Sequence, residues 1–122
     1  MIIKTAILIA NNTDLSELIL RGLHINHYII FENKDIYLKF RNYLKINKND
    51  LKFIIIDFKY RKIFNIKKLI HFLKEIESII FFVDHCSYAA ITIVSLCRKY
   101  KKITKFVDLY KLNLSNVNIQ KR

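Results

Sequence analysis

The chain has 122 residues, 22 Lys and Arg against 10 Asp and Glu, and a formal net charge of +12. That length fits one domain, and a hydrophobic content of 52% excludes a disordered tail. A single Gly (Gly22) and the absence of Pro exclude a P-loop, a dinucleotide-binding G-x-G-x-x-G and a G-x-S-x-G nucleophile elbow, all of which need more glycine.

In chain order, Thr5 to Ala10 is a continuous apolar run, the pattern of a strand covered on both faces. Asn11-Asn12-Thr13 breaks it with helix-capping residues. Leu15, Leu18, Ile19 and Leu23 recur at helical spacing, and His27 to Phe31 is a short apolar strand. Ile36, Phe40, Tyr43 and Leu44 mark a second helix, and Asn47 to Asp50 a turn. Lys52 to Asp57 is the clearest buried strand and ends in a carboxylate. Ile66, Leu69, Ile70, Leu73 and Ile76 form a third helix face. Ile79 to Val83 is a fourth strand, ending at Asp84-His85-Cys86-Ser87. Ser87 to Tyr100 reads as a fourth helix, although Ile91-Thr92-Ile93-Val94 is β-branched and suits a strand. Lys105 to Tyr110 is a fifth strand, and residues 112–122 are a polar tail or a short fifth helix.

Strands that are apolar throughout, alternating with helices, predict one doubly wound α/β domain with a parallel sheet covered on both faces. Functional groups in such folds gather at the carboxyl ends of the strands. Asn11, Asn12, Asp57, Ser87 and Lys111 stand at those ends. Cys86 and Cys97 lack the C-x-x-C spacing of structural zinc and suit reduced thiols in a cytosol. His85 and Cys86 are strand neighbours that point to opposite faces, which argues against a nucleophile–base pair. No signal peptide is evident, and no apolar stretch approaches the roughly 20 residues of a transmembrane helix. A cytoplasmic protein without a membrane partner is expected. Basic clusters occur at Lys59-Tyr60-Arg61-Lys62, Lys67-Lys68 and Arg98-Lys99-Tyr100-Lys101-Lys102. Tyr60 and Tyr100, each between cations, are of the type that stacks on bases. A solvated surface enriched in Lys by A+T-rich coding is the plainer reading.

The residues at the strand ends resemble the receiver domain of two-component response regulators, over nearly the whole chain. Ile7-Leu8-Ile9-Ala10-Asn11-Asn12 sits where that family has an apolar strand and an acidic pair. Asp57 after Phe53-Ile54-Ile55-Ile56 looks like the phospho-accepting aspartate, Ser87 after Ile80 to Val83 is placed like its Thr or Ser, and Lys111 after Phe106 to Tyr110 looks like its lysine. Asn65 to Leu73 is similar to the third helix of receivers that carry a C-terminal helix-turn-helix domain. The resemblance implies a flavodoxin-like (βα)5 fold with strand order 2-1-3-4-5. It also implies Mg²⁺ held by oxygen ligands, a Lys paired with the phosphoryl group, and a hydroxyl that moves its loop on phosphorylation. The family's face of fourth helix, fifth strand and fifth helix is its usual dimerisation and output surface.

Departures from the pattern redirect the expectation. Amides replace the acidic pair, so Asn11, Asn12 and Asp57 make a weak Mg²⁺ set. Asp108 stands where the family has an aromatic switch residue, no Pro follows Lys111, and the fifth helix is weak or truncated. The expectation is a degenerate receiver over residues 1–122, with too few residues after the last strand for a DNA-binding domain, either a stand-alone module or a fragment of a longer protein. It is not an enzyme and has no cofactor beyond weakly held Mg²⁺. It acts in signal transduction or transcription regulation by protein contact, as a homodimer or with a partner, through the face of the fourth helix and fifth strand. In this reading Asp57 forms a salt bridge with Lys111, and Ser87 caps the fourth helix. One rival is a working receiver phosphorylated on Asp57, with Ser87 and Lys111 binding the phosphate. The other is a nucleic-acid-binding α/β module that uses Lys59, Arg61, Lys62, Arg98, Lys99, Lys101 and Lys102.

Overall fold

The computed structural model describes residues 4–25, 27–44, 52–83 and 87–111. The expected turn at 47–50, the residues Asp84, His85 and Cys86, and the tail 112–122 lie outside the described residues. The elements run β1 (Thr5–Ile9), α1 (Leu15–Leu20), β2 (Tyr28–Phe31), α2 (Lys34–Leu44), β3 (Phe53–Ile55), β4 (Phe58–Lys59), β5 (Lys62–Ile63), α3 (Ile66–Lys74), β6 (Ser78–Phe82), α4 (Tyr88–Lys99) and β7 (Ile103–Val107). Five strands form one parallel sheet in the order β3-β2-β1-β6-β7, while β4 and β5 pair as a separate antiparallel hairpin.

Alternation along the strands divides the core in two. Ile7 and Ile9 of β1, Ile29 and Phe31 of β2, and Ile80 and Phe82 of β6 pack with Leu15 and Leu18 of α1 and Ile36, Tyr37 and Phe40 of α2. Ala6, Leu8, Ile30, Ile79 and Phe81 point the other way and pack with Leu69 and Leu73 of α3 and Ala90, Ile93 and Cys97 of α4. Among the described residues, two helices therefore cover each side of a parallel sheet, as apolar strands without polar alternation require. Packing also settles the β-branched run in the fourth segment: Ile93 is fully buried on a helix, not on a strand. Among the described residues, no helix is long and apolar enough to cross a membrane.

The strand order corrects the expected 2-1-3-4-5. The third sheet strand, β3, lies at an edge beyond β2 rather than between the first and fourth. Crossovers of one hand explain this. α1 and α2 lie on the same side, so two successive crossovers step the chain outward in one direction. α3 lies on the opposite side and carries the chain back across the sheet to β6, on the far flank of β1. β1 and β6, buried at every residue, take the centre. β3 is only three residues long and half-buried throughout, which suits an edge. Its apolar sequence is still accounted for: Phe53 and Ile55 pack on the α1–α2 side, Ile54 and Ile56 on the α3–α4 side.

Candidate functional site

The reversal of chain direction between β1 and β6 is the topological switch point, where doubly wound domains bind ligands. The loop leaving β1 there is tied down by its own polar groups. The Ala10 N–H donates to Thr13 Oγ1 at 2.9 Å and the Asn11 N–H to Glu32 Oε2 at 2.9 Å. Asn33 donates through Nδ2 to Asn11 Oδ1 at 2.9 Å, and its own Oδ1 accepts from the Ile36 N–H at the start of α2. Asn11 is thus a link between two loops, and Asn12 beside it is exposed. α1 is capped by Asp14, whose carboxylate accepts from the Glu17 N–H at 3.1 Å and from the Tyr110 hydroxyl at 2.8 Å. Those two hydrogen bonds, the backbone one first, hold the Asp14 carboxyl below the usual carboxylate range. The pair Asp14 and Tyr110 was not foreseeable in the sequence, because the two are 96 residues apart.

The receiver landmarks fall on different strands. Ser87 caps α4, its Oγ accepting from the Ala90 N–H at 3.1 Å. Lys111 lies in the turn beyond β7, since that strand ends at Val107 and not at the expected Tyr110. Asp57 follows β3, at the edge of the sheet opposite β7. The expected Asp57–Lys111 salt bridge is therefore not made. The cation beside Asp57 is Lys59, at 4.0 Å and mostly exposed, a pair worth little in water. The Asp57 N–H donates to Asn65 Oδ1 at 3.0 Å, while Asn65 Nδ2 donates to the Ile55 carbonyl at 2.7 Å. A cleft of about 450 Å³ opens here, lined by Asn33, Asp35, Asp57 and Lys59 together with Ile55 and Phe58 among others. Among the described residues, no three His, Cys, Asp or Glu side chains come together as a metal set.

The basic clusters separate by role. Lys59 and Lys62 face each other across the β4–β5 hairpin, whose turn residues Tyr60 and Arg61 both have positive φ, 52° and 62°. Arg61 stacks over the Tyr88 ring at 5.0 Å, which joins the hairpin to α4. Lys102 has a structural role: its Nζ donates to the Ile76 carbonyl at 2.7 Å beyond the end of α3. Lys101 adopts φ 59° just past α4, where the Lys102 N–H bonds the Cys97 carbonyl and the Lys101 N–H the Arg98 carbonyl. That is the Schellman closure usually given to Gly. Arg98 and Lys99 are exposed on the last turn of α4, and Lys99 lies 5.9 Å from the Tyr100 ring.

The most developed apolar surface lies between α4 and the edge strand β7. A groove of about 310 Å³ is lined by Phe81, Val83, Ile91, Val94, Phe106 and Arg98 among others. Phe106 stacks on Phe81 at 5.6 Å yet remains 53% exposed, and Ile91 and Val83 are 55% and 57% exposed. The α4 hydroxyls do not make this face polar. Thr92 donates to the Tyr88 carbonyl at 2.8 Å and Ser95 to the Ile91 carbonyl at 3.1 Å, both within the helix. The face of the fourth helix and fifth strand was expected from the sequence as an interaction surface; that Phe106 is the strand residue left uncovered there was not. Its strand shows the alternation Ile103, Lys105, Val107 against Thr104, Phe106, but sequence does not tell which side of an edge strand is left uncovered. No protein-family model, curated protein or solved structure matches the chain.

Proposed function

We propose that this domain works by contact and not by catalysis, taking an apolar, acid-flanked segment of another protein into the α4–β7 groove. The observation that carries the reading is the uncovered apolar strip Val83, Ile91 and Phe106 with Arg98 in its wall. An exposed patch of this kind, rimmed by polar residues, is the usual mark of a protein-binding surface. Charge selects the partner. α4 and β7 carry Arg98, Lys99 and Lys105 and no carboxylate, so a second copy would set like charges against each other. Acidic residues flanking an apolar segment would meet those cations instead. The receiver resemblance supports the same surface, since its fourth-helix face is the family's output face, and on that reading the contact relays a signal. The family's phosphoryl chemistry has no part in this reading, because Asp57 and Lys111 follow strands at opposite edges of the sheet and the cation beside Asp57 is Lys59.

The test is a titration of the full chain with two designed amphipathic peptides that share one apolar face, one flanked by Glu and one by Lys. The Glu-flanked peptide should bind, and Phe106→Ser should weaken it by at least about tenfold, as expected for a central aromatic anchor. Arg98→Glu should reverse the preference between the peptides. Equal binding of both, binding of neither, or a concentration-dependent dimer lost in Phe106→Ser would overturn the reading.

A further inference from the structure

We infer that the β4–β5 hairpin and the start of α3 form a binding surface for single-stranded nucleic acid, with Tyr60 as its stacking platform. From Phe58 to Lys74 the chain carries six cations and no carboxylate. Five of them, Lys59, Arg61, Lys62, Lys67 and Lys68, are exposed on the hairpin and on the first turn of α3 that follows it. Such a concentration on one surface is the electrostatic footprint of a phosphate backbone.

The backbone of the turn is a second, independent observation. A two-residue hairpin turn with both residues at positive φ calls for Asn-Gly, and side chains with a bulky Cβ substituent are strained there. Here the positions hold Tyr60 and Arg61. A+T-rich coding favours Tyr and Asn alike, so it does not choose between them at this turn. Asn tolerates positive φ and is plentiful in this chain, yet it is absent from the turn. Strain kept where a cheaper residue was at hand points to use of the side chains. Tyr60 is 88% exposed, with one edge-on contact to Phe64 at 6.5 Å, so its face is open to a base. Arg61 is held over Tyr88 at 5.0 Å, which fixes the tip against α4 before any ligand arrives. An exposed aromatic tip needs an unstacked base, which selects a single strand over a duplex.

The experiment is fluorescence anisotropy of a labelled oligothymidylate of about 12 nucleotides, within the span one such surface covers. Its affinity for the full chain should fall with salt on a log–log slope of about −3.5 for five phosphate contacts. Tyr60→Ala should weaken binding roughly 5- to 100-fold, the usual value of one stacked base, and Tyr60→Phe should restore it. Tyr60→Asn relieves the turn, so it should raise the thermal midpoint while losing the same affinity; this separates stacking from folding. Three results would each overturn the inference: no salt-sensitive binding, an affinity that Tyr60→Ala leaves unchanged, or equal competition by polyglutamate or by anionic lipid vesicles.

Discussion

The two sides of the sheet are built alike inside and differ outside. Each buries two helices against alternate residues of the same strands. On the α1–α2 side, the end of α1 is closed by the one glycine: Gly22 takes φ 67°, the Leu23 N–H reaches the Leu18 carbonyl and the Gly22 N–H the Ile19 carbonyl. Leu109 and Tyr110 then return from the end of β7 to pack and hydrogen-bond on this side. On the α3–α4 side the same closure of α4 uses Lys101, and the hairpin turn uses Tyr60 and Arg61. Every described non-glycine residue with positive φ thus lies on that side, and it is also the side with the open groove. Packing alone would produce two equivalent layers. Among the described residues, the α3–α4 side holds the groove and the side chains at positive φ, and the α1–α2 side receives the returning end of the chain after β7.

The largest effects should come from breaking what the sides share. Phe31→Ala on the α1–α2 side should cost about 3–5 kcal/mol and Leu69→Ala on the α3–α4 side about 2–5 kcal/mol in urea unfolding. A small loss for one of the two would mean that its layer is not part of the cooperative core.

The helix ends sharpen the contrast. Lys101→Gly should stabilise by about 1 kcal/mol, because glycine reaches positive φ freely. Gly22→Ala should destabilise by about 1–2 kcal/mol. Space is not the issue there: an added Cβ would meet only Ile25 Cδ1, at 3.5 Å. Equal responses at the two sites would erase the distinction between the layers.

A smaller effect concerns acid. His24, against the Phe40 ring on the α1–α2 side, has a buried Nδ1 with no hydrogen-bond partner, and burial pushes its pKa below the ordinary 6.5. Its folded pKa is lowered, so the unfolded chain takes up the proton first. Stability is full above pH 6.5 and declines as pH falls from there towards the folded value. Asp14 acts in the same direction nearer pH 3.8, its ordinary value. Urea midpoints should therefore be level between about pH 7 and 8 and fall below about pH 6.5, with His24→Phe flattening the first part of the decline. On the opposite side Cys97, its thiol pushed up to about 12 by burial, gives no titration in that range.

Much of the element order was legible in the sequence because apolar runs and helical stripes alternate cleanly. Leu15 and Leu18, Ile36 and Phe40, Leu69 and Leu73 all face the core as their spacing requires. Strand order was not legible. Phe53 to Ile56 is as apolar as Ile79 to Val83, yet one run is at the edge and the other central, and only the sides taken by the crossovers decide it. That single difference puts the strands that Asp57 and Lys111 follow at opposite edges of the sheet, and the expected salt bridge between them is not made. The hairpin was hidden for a local reason: Tyr60-Arg61 carries none of the Asn, Asp or Gly signal by which such turns are read. The groove was half legible, since the face of the fourth helix and fifth strand was expected, but which of that strand's alternating residues stays uncovered was not.

The most direct test of the account is amide chemical-shift mapping of the full chain with the Glu-flanked amphipathic peptide. Perturbations should concentrate on α4 and β7, around Ile91, Arg98 and Phe106, and be lost in Phe106→Ser. Perturbations centred on α1 and α2, or none at saturating peptide, would contradict it.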